Sequence, residues 1–313
     1  MGNQRVFYAC QGVCFNDVPV EGVQSVTLDT QQDTINLDQW GTMKVHAVVP
    51  NYPKVDINLS RIISSGTLSN LIYSGTLQDN INTHDHSMCL FIGEDTKGNL
   101  KDSTANNYNI FFSGVSINSV SYDFSSDGNL TENVNLIAYN KLYNSCPVDQ
   151  TVFSALSDGS GTDVFRRQHI DIDNCSIGDI LQSGTRIQSI SIDSNFGIQN
   201  VDEFGMNVAN PNSNYRYAQL PIETTLDVEI LIDGSGLDFY EIDPITEVDH
   251  LCEYTGLSSL VPLNVKLCEG LSINLGSGIL TNVSYNGGST GGDNVVASLS
   301  FKSVNQLTVA NTG

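Results

Sequence analysis

The sequence predicts an all-β protein made as a tandem duplication of one β-sandwich or barrel domain, with few short helices. Three observations predict it. Short runs rich in Val, Ile, Thr and Tyr alternate apolar with polar residues and end in clusters of Gly, Asn, Asp or Ser. Helical periodicity is scarce, and only Leu59 to Leu71 and Val248 to Leu260 suit a short helix. The chain also repeats itself: Val23-Gln-Ser-Val-Thr-Leu-Asp29 returns as Ile187-Gln-Ser-Ile-Ser-Ile-Asp193, each position identical or a near-isostere, at an offset of 164.

Taken along the chain, the matches continue. Leu37-Asp38-Gln39-Trp40-Gly41 aligns with Val201-Asp202-Glu203-Phe204-Gly205 at the same offset. Val55 to Leu59 aligns with Leu226 to Ile230, and Ile117 to Tyr122 aligns with Leu280 to Tyr285. Val134 to Ala138 and Val295 to Leu299 share alternation more than identity. Val115 to Tyr122 alternates cleanly, Ser125-Ser126-Asp127-Gly128-Asn129 supplies turn chemistry, and Val134 to Ala138 returns as the second strand of a hairpin. These matches divide the chain into a first domain at 1–145 with an N-terminal arm, a linker at 146–167 and a second domain at 168–313. The linker holds Ser157-Asp-Gly-Ser-Gly-Thr-Asp163, suited to a flexible connection. Residues 1–20 and 145–168 fit the repeat poorly and are candidate arms that bridge neighbours.

The 313 residues carry 35 acids against 13 bases, a formal net charge of −22, while charged residues make up only 15%. Globular chains average about 25% charged residues. Such a balance excludes a general duplex-DNA binder, because phosphates attract Lys and Arg. No run of 18 apolar residues predicts a membrane-spanning helix. The acids concentrate: Asp233 to Glu253 holds seven, and no Lys or Arg occurs from Tyr217 to Val265.

No motif organises a reaction. The seven cysteines are scattered, and the N-terminus has no apolar signal core, so reduced, mostly buried thiols are expected. Cys10 and Cys14 resemble half of a metal site without a second half. His84-Asp85-His86 would share one face of a strand, but no third ligand is identifiable, and a polar loop tip explains it better. Gly287-Gly-Ser-Thr-Gly-Gly-Asp293 lacks the Lys-Ser/Thr ending of a phosphate loop and sits where the first copy has a hairpin turn. Asp158 to Asp163 departs from calcium-loop spacing. The sequence is therefore read as a non-enzyme with no cofactor and no metal.

One hairpin carries a family resemblance. Ser113-Gly-Val-Ser-Ile-Asn-Ser-Val-Ser-Tyr-Asp-Phe124, followed by Asp127-Gly-Asn-Leu-Thr-Glu-Asn-Val134, resembles the C-terminal hairpin of phage tail-tube proteins. The second copy keeps Asn282-Val-Ser-Tyr285 and replaces the Asp-Gly-Asn turn with a Gly-rich one. A duplicated chain is similar to the fused tail-tube subunits of long non-contractile tails, in which three chains make a pseudo-six-fold ring. The resemblance implies a β-sandwich per copy, strands joining a barrel across subunits, and rings stacking into a tube in the virion tail. It implies as partners further copies of the chain, a tape-measure protein, tail-terminator or tail-tip proteins and, transiently and non-specifically, passing double-stranded DNA, with no membrane.

An acidic lumen would repel phosphates. Asp29 and Asp193 end the matched Gln-Ser strands, and Asp38, Asp202 and Glu203 lie in the matched loops, so these five are the candidate lumen-facing acids. Val26, Leu28, Ile190 and Ile192 are expected in the sandwich cores, and the Trp40/Phe204 match suggests a packing role for both. The alternative is a two-domain β-sandwich binding or decoration protein of a virion, such as a receptor-binding or tail-tip component.

Overall fold

The computed structural model describes residues 11–38, 40–41, 45–50, 54–63, 75–76, 86–93, 108–125, 128–138, 140–155, 164, 166, 170, 175–177, 186–201, 215–231, 261–267, 271–287, 295–304 and 307–311. Among them the chain is almost wholly β, with one 3-10 turn at Gln150–Ala155 and no α-helix. The first half contributes β1 (Gln11–Phe15), β2 (Val18–Pro19), β3 (Val23–Gln31), β4 (Thr34–Asp38), β5 (Val45–Pro50), β6 (Lys54–Ile62), β7 (Gly75–Thr76), β8 (His86–Ile92), β9 (Tyr108–Ser125), β10 (Thr131–Ala138) and β11 (Asn140–Tyr143). The second contributes β12 (Ser176–Ile177), β13 (Arg186–Asn195), β14 (Gln199–Val201), β15 (Tyr215–Tyr217), β16 (Glu223–Leu231), β17 (Val261–Lys266), β18 (Leu271–Asn286), β19 (Val296–Val304) and β20 (Thr308–Asn311).

Of the two helices expected from the sequence, the first is corrected at its start: Leu59 to Ile62 belong to β6. There Val55, Ile57 and Leu59 are buried on one side while Lys54 and Asn58 face solvent on the other, a period of two rather than 3.6. Residues 64–71 and 248–260 lie outside the described residues.

Eight strands lie side by side, every neighbouring pair antiparallel, in the order β3-β6-β10-β9-β13-β16-β19-β18. The first four and the last four follow the same sequence of roles. In each half a long strand also serves a second layer. β9 pairs β8 and β11 through its N-terminal part, and β18 pairs β17 and β20 through its own. Both long strands change partners near a glycine in the left-handed region, Gly114 at φ 60° and Gly276 at φ 68°. A side chain at positive φ is penalised, so glycine suits the bend that lets one strand enter two layers.

Register shifts locate the correspondence between the halves more sharply than residue types do. The β3·β6 pairing skips Gln24, and β13·β16 skips Gln188, at the offset of 164. The β9·β10 pairing skips Asn118, and β18·β19 skips Thr281, at an offset of 163. Counting across the rungs from these points corrects two sequence alignments. Ile57, Leu59 and Arg61 correspond to Leu226, Val228 and Ile230, two residues away from the sequence match. Val134 corresponds to Leu299 rather than Val295. Slips of two and four residues preserve inside–outside alternation, so the hydrophobic pattern could not exclude them.

One contiguous core runs through both halves. It includes Ile57, Leu59, Val120, Tyr122, Val134, Ile190, Ile192, Leu226, Val228, Leu299 and Phe301 from the eight-strand run, and Phe15, Leu90, Leu263, Val265 and Val309 from the outer strands. Ile190 and Ile192 are fully buried, as expected, whereas Val26 and Leu28 are half-buried against that core. The difference follows from position: β13 has a strand on each side, whereas among the described residues β3 is paired on one side.

A smaller core of Cys14, Cys89, Phe91 and Phe153 covers the other face of β1 and β8. It corrects the expectation of reduced thiols, because Cys89 and Cys146 form a disulfide with their Cα atoms 6.0 Å apart. The pairing links residues 57 apart: Cys146 follows β11, which lies beside β9, the strand that also pairs β8 with its Cys89. Residues 146–155, read as the start of a linker, are thus fastened by that bond and by the buried Phe153. The described part of the N-terminal arm is seated too: β1 pairs β2 and β8 with Val13 and Phe15 buried.

Candidate functional site

The eight-strand run has one apolar face, covered by the outer layers, and one polar face. Cross-strand register assigns the polar face rung by rung. One rung reads Ser25, Ser60, Asn133, Ser121, Asp193, Thr225, Lys302 from β3 to β19. The next reads Thr27, Asn58, Asn135, Ser119, Asn195, Glu223. Toward β18 the first rung continues to Ile279 and the second continues to Val304 in β19, both exposed. Side chains of six successive strands, Ser25, Asn58, Asn135, Ser121, Asp193 and Thr225 among them, line one open concavity of about 460 Å3. The sheet therefore curves with its polar face on the inside, the reverse of a filled barrel, in which the concave face carries the core.

This concave face is anionic. It carries Asp29, Asp56, Asp123, Asp193, Asp227, Glu223 and Glu229 against Lys54, Lys302 and, at the start of β13, Arg186: seven carboxylates to three cations. Both lysines are spent in ion pairs on the face itself, Lys54 with Asp56 at 3.1 Å and Lys302 with Glu223 at 2.6 Å. Short side chains bind one another across the strands. Asn135 Nδ2 donates to Asn58 Oδ1 at 2.7 Å, Ser191 Oγ donates to Asp123 Oδ1 at 2.7 Å, and Ser189 Oγ donates to Glu229 Oε2 at 2.7 Å. Asp193 sits amid this charge. Partial burial, then the carboxylates of Asp123 and Asp227, push its pKa above the usual range, against a lowering hydrogen bond from Ser191.

The candidate acids distribute unevenly. Asp29 and Asp193 occupy the concave face at corresponding positions. Asp38 lies elsewhere, at the end of β4 in a two-stranded ribbon with β5. Asp202 and Glu203 lie outside the described residues, as does the acid-rich stretch 233–253. Sequence reasoning missed Asp56, Asp123, Asp227, Glu223 and Glu229. Their signal was present, because each alternates with a buried apolar or core-facing residue on a strand already recognised.

The β4–β5 ribbon corrects another expectation. Trp40, at its tip, is 102% exposed and packs into no core. Ile35, Leu37, Val48 and Val49 along the ribbon are exposed as well. Its counterpart in the second half is the β14–β15 ribbon; Phe204 lies outside the described residues.

The run ends in two open edges. Among the described residues β3 pairs only β6, and Ile279 to Asn286 of β18 pair only β19. Raw strand edges beside half-buried apolar side chains are templates for further pairing.

Of the chemical candidates, Cys14 is buried, and burial followed by the charge of Asp17 pushes its pKa up to about 12. Cys10 and His84 lie outside the described residues. His86 heads β8 rather than a loop tip: its Nδ1 lies 2.8 Å from Asn16 Nδ2, and its ring packs 5.3 Å from Phe15. Among the described residues no group of three or more His, Cys, Asp or Glu side chains is placed to hold a metal ion, and no helix is long and apolar enough to cross a membrane.

No protein-family model matches the chain, and no curated protein matches it. Among solved structures it is similar to one described as a hybrid structure of the SPP1 tail tube by solid-state NMR and cryo-EM, at 12% identity and a TM-score of 0.33, over 50% of this chain and 88% of that one.

Proposed function

We propose that the chain is a structural virion protein of a phage tail tube, in which three copies, each a fused pair of equivalent domains, close a ring whose bore is lined by the concave acidic face. The single observation that carries this reading is that face: a sheet curved around hydroxyl, amide and carboxylate side chains, with its lysines neutralised. Seating it against a core would strand polar groups and charges at a cost of several kcal/mol each, so it belongs against water. Three eight-strand runs make about 24 strands, and barrels beyond 16–18 strands enclose a water-filled or plugged lumen. A wall of short hydrated carboxylates that outnumber its cations repels passing phosphates and gives them little to hold.

The exposed apolar β4–β5 ribbon is the contact through which one ring seats on the next, a head-to-tail association that does not close and so grows a filament. A tape-measure protein, terminator and tip proteins, and transiently passing DNA are the partners this role entails. The reading assigns the chain no reaction, cofactor or metal, and places it in the virion tail.

Negative-stain microscopy of the purified protein tests it. Three-fold rings with six similar lobes, or hollow tubes, are expected; discrete monomers at every concentration overturn it. The fully exposed Trp40 favours a second reading, a β-sandwich binding or decoration protein using that ribbon. It predicts discrete particles whose binding to cells is lost in Trp40→Ala.

A further inference from the structure

The junction between the two halves is an internal instance of the contact that closing a ring would require. At that junction β13 lies antiparallel to the C-terminal part of β9, with Ile192 opposite Tyr122, Asp193 opposite Ser121, Ser194 opposite Val120 and Asn195 opposite Ser119. The matched register shifts equate β13 with β3 at 164 residues and β9 with β18 at 163. Among the described residues these counterparts, β3 and residues 279–286 of β18, are the two open ends of the eight-strand run.

We infer that β3 of one chain adds to β18 of the next in the register of the internal junction: Leu28 opposite Tyr285, Asp29 opposite Ser284, Thr30 opposite Val283 and Gln31 opposite Asn282. Burial supports this pairing. Tyr122 and Ile192 are each 0% exposed inside the junction, whereas Tyr285 is 43% exposed and Leu28 half-buried at the open ends. Joining the ends gives Leu28 and Tyr285 the surroundings their counterparts already have. Polar chemistry carries over as well. Asp29 meets Ser284 as Asp193 meets Ser121, and the hydroxyl–carboxylate bond of Ser191 with Asp123 is replaced by Thr27 beside the Asn286 amide. The rungs of the concave face then run unbroken from chain to chain. The partner is a second copy of this chain, and the inference rests on the ring reading.

Cysteine trapping tests the register. Asp29 and Ser284 are both exposed and on the concave face, and directly opposed residues of antiparallel strands lie within the Cα span a disulfide accepts. In the full chain, Asp29→Cys with Ser284→Cys is expected to give covalent dimers and closed trimers under mild oxidation. The yield should exceed that of either single variant, or of Asp29→Cys with Asn282→Cys, by at least tenfold. Rings seen by microscopy without this cross-link, or with equal yield from the offset pair, overturn the register while leaving the ring reading standing. Absence of rings and of cross-links overturns both.

Discussion

Arg61 and Glu132 face each other across the β6·β10 pairing and form an ion pair in which neither side chain is exposed, at 1% and 0%. At the corresponding positions of the second half stand Ile230 and Ala297. Glu132 keeps one oxygen, Oε1, without a hydrogen-bond partner among the described residues. Removing one member of a buried pair leaves an uncompensated charge, whereas replacing both with packed apolar groups is often neutral or stabilising.

Glu132→Ala alone is accordingly expected to destabilise the chain by about 3–5 kcal/mol. Arg61→Ile with Glu132→Ala, the pair found in the second half, should recover most of that loss. Urea midpoints of the parent, both single variants and the double variant check this. Equal midpoints for the Glu132 single and the double variant would show that the pair is not coupled.

Gly114→Ala should destabilise by about 1–2 kcal/mol, the cost of placing a Cβ in left-handed backbone. Gly276→Ala should behave alike, since it sits at φ 68° in the equivalent bend. Thermal unfolding at fixed pH measures both.

Breaking the Cys89–Cys146 bond removes a cross-link over 57 residues. Chain-entropy arithmetic sets the loss at roughly 4 kcal/mol. Cys146→Ser and dithiothreitol treatment of the parent should lower the denaturant midpoint equally, and adding reductant to the variant should do nothing more. Cys14, with its pKa pushed up to about 12, should resist alkylation at neutral pH until the chain unfolds.

The raised pKa of Asp193 means that the folded state holds this proton more tightly than the unfolded chain. Its contribution to stability is therefore greatest below the ordinary aspartate pKa of about 3.9 and falls as pH rises through the carboxylate range. Asp193→Asn should melt above the parent at neutral pH, and the gap should close toward pH 3. A gap that widens on acidification would refute the assignment.

Trp40→Ala should leave unfolding within about 0.5 kcal/mol of the parent, as expected for an exposed site. On the tail-tube reading it should shorten or abolish tubes while rings persist. Tubes of parental length would remove the ribbon from the stacking contact.

The strands themselves were legible because alternation is local. Val23–Asp29, Ile187–Asp193 and the Ile117–Tyr122 hairpin strand announce both a period of two and, by recurring, a shared architecture. Two of the seven acids on the concave face, Asp29 and Asp193, are named from the sequence by the repeat; those on β6, β9 and β16 alternate just as plainly but are not singled out there. Register itself was not legible for β6 and β16, where a two-residue slip keeps every apolar residue on its side. Trp40 was misread because likeness to Phe204 says nothing about whether a hairpin tip meets a core.

Composition and periodicity alone determined an acidic β chain whose strand sequences recur. Those properties are sums and local repeats, which a linear string records directly. Only the tertiary structure decided that the polar sides of six neighbouring strands line one anionic concavity, that Cys89 meets Cys146, and that the two strands left open among the described residues are the counterparts of a pair already joined. Each of these depends on which distant segments lie side by side, and that is settled by strand order and bulge position rather than by the character of any one segment.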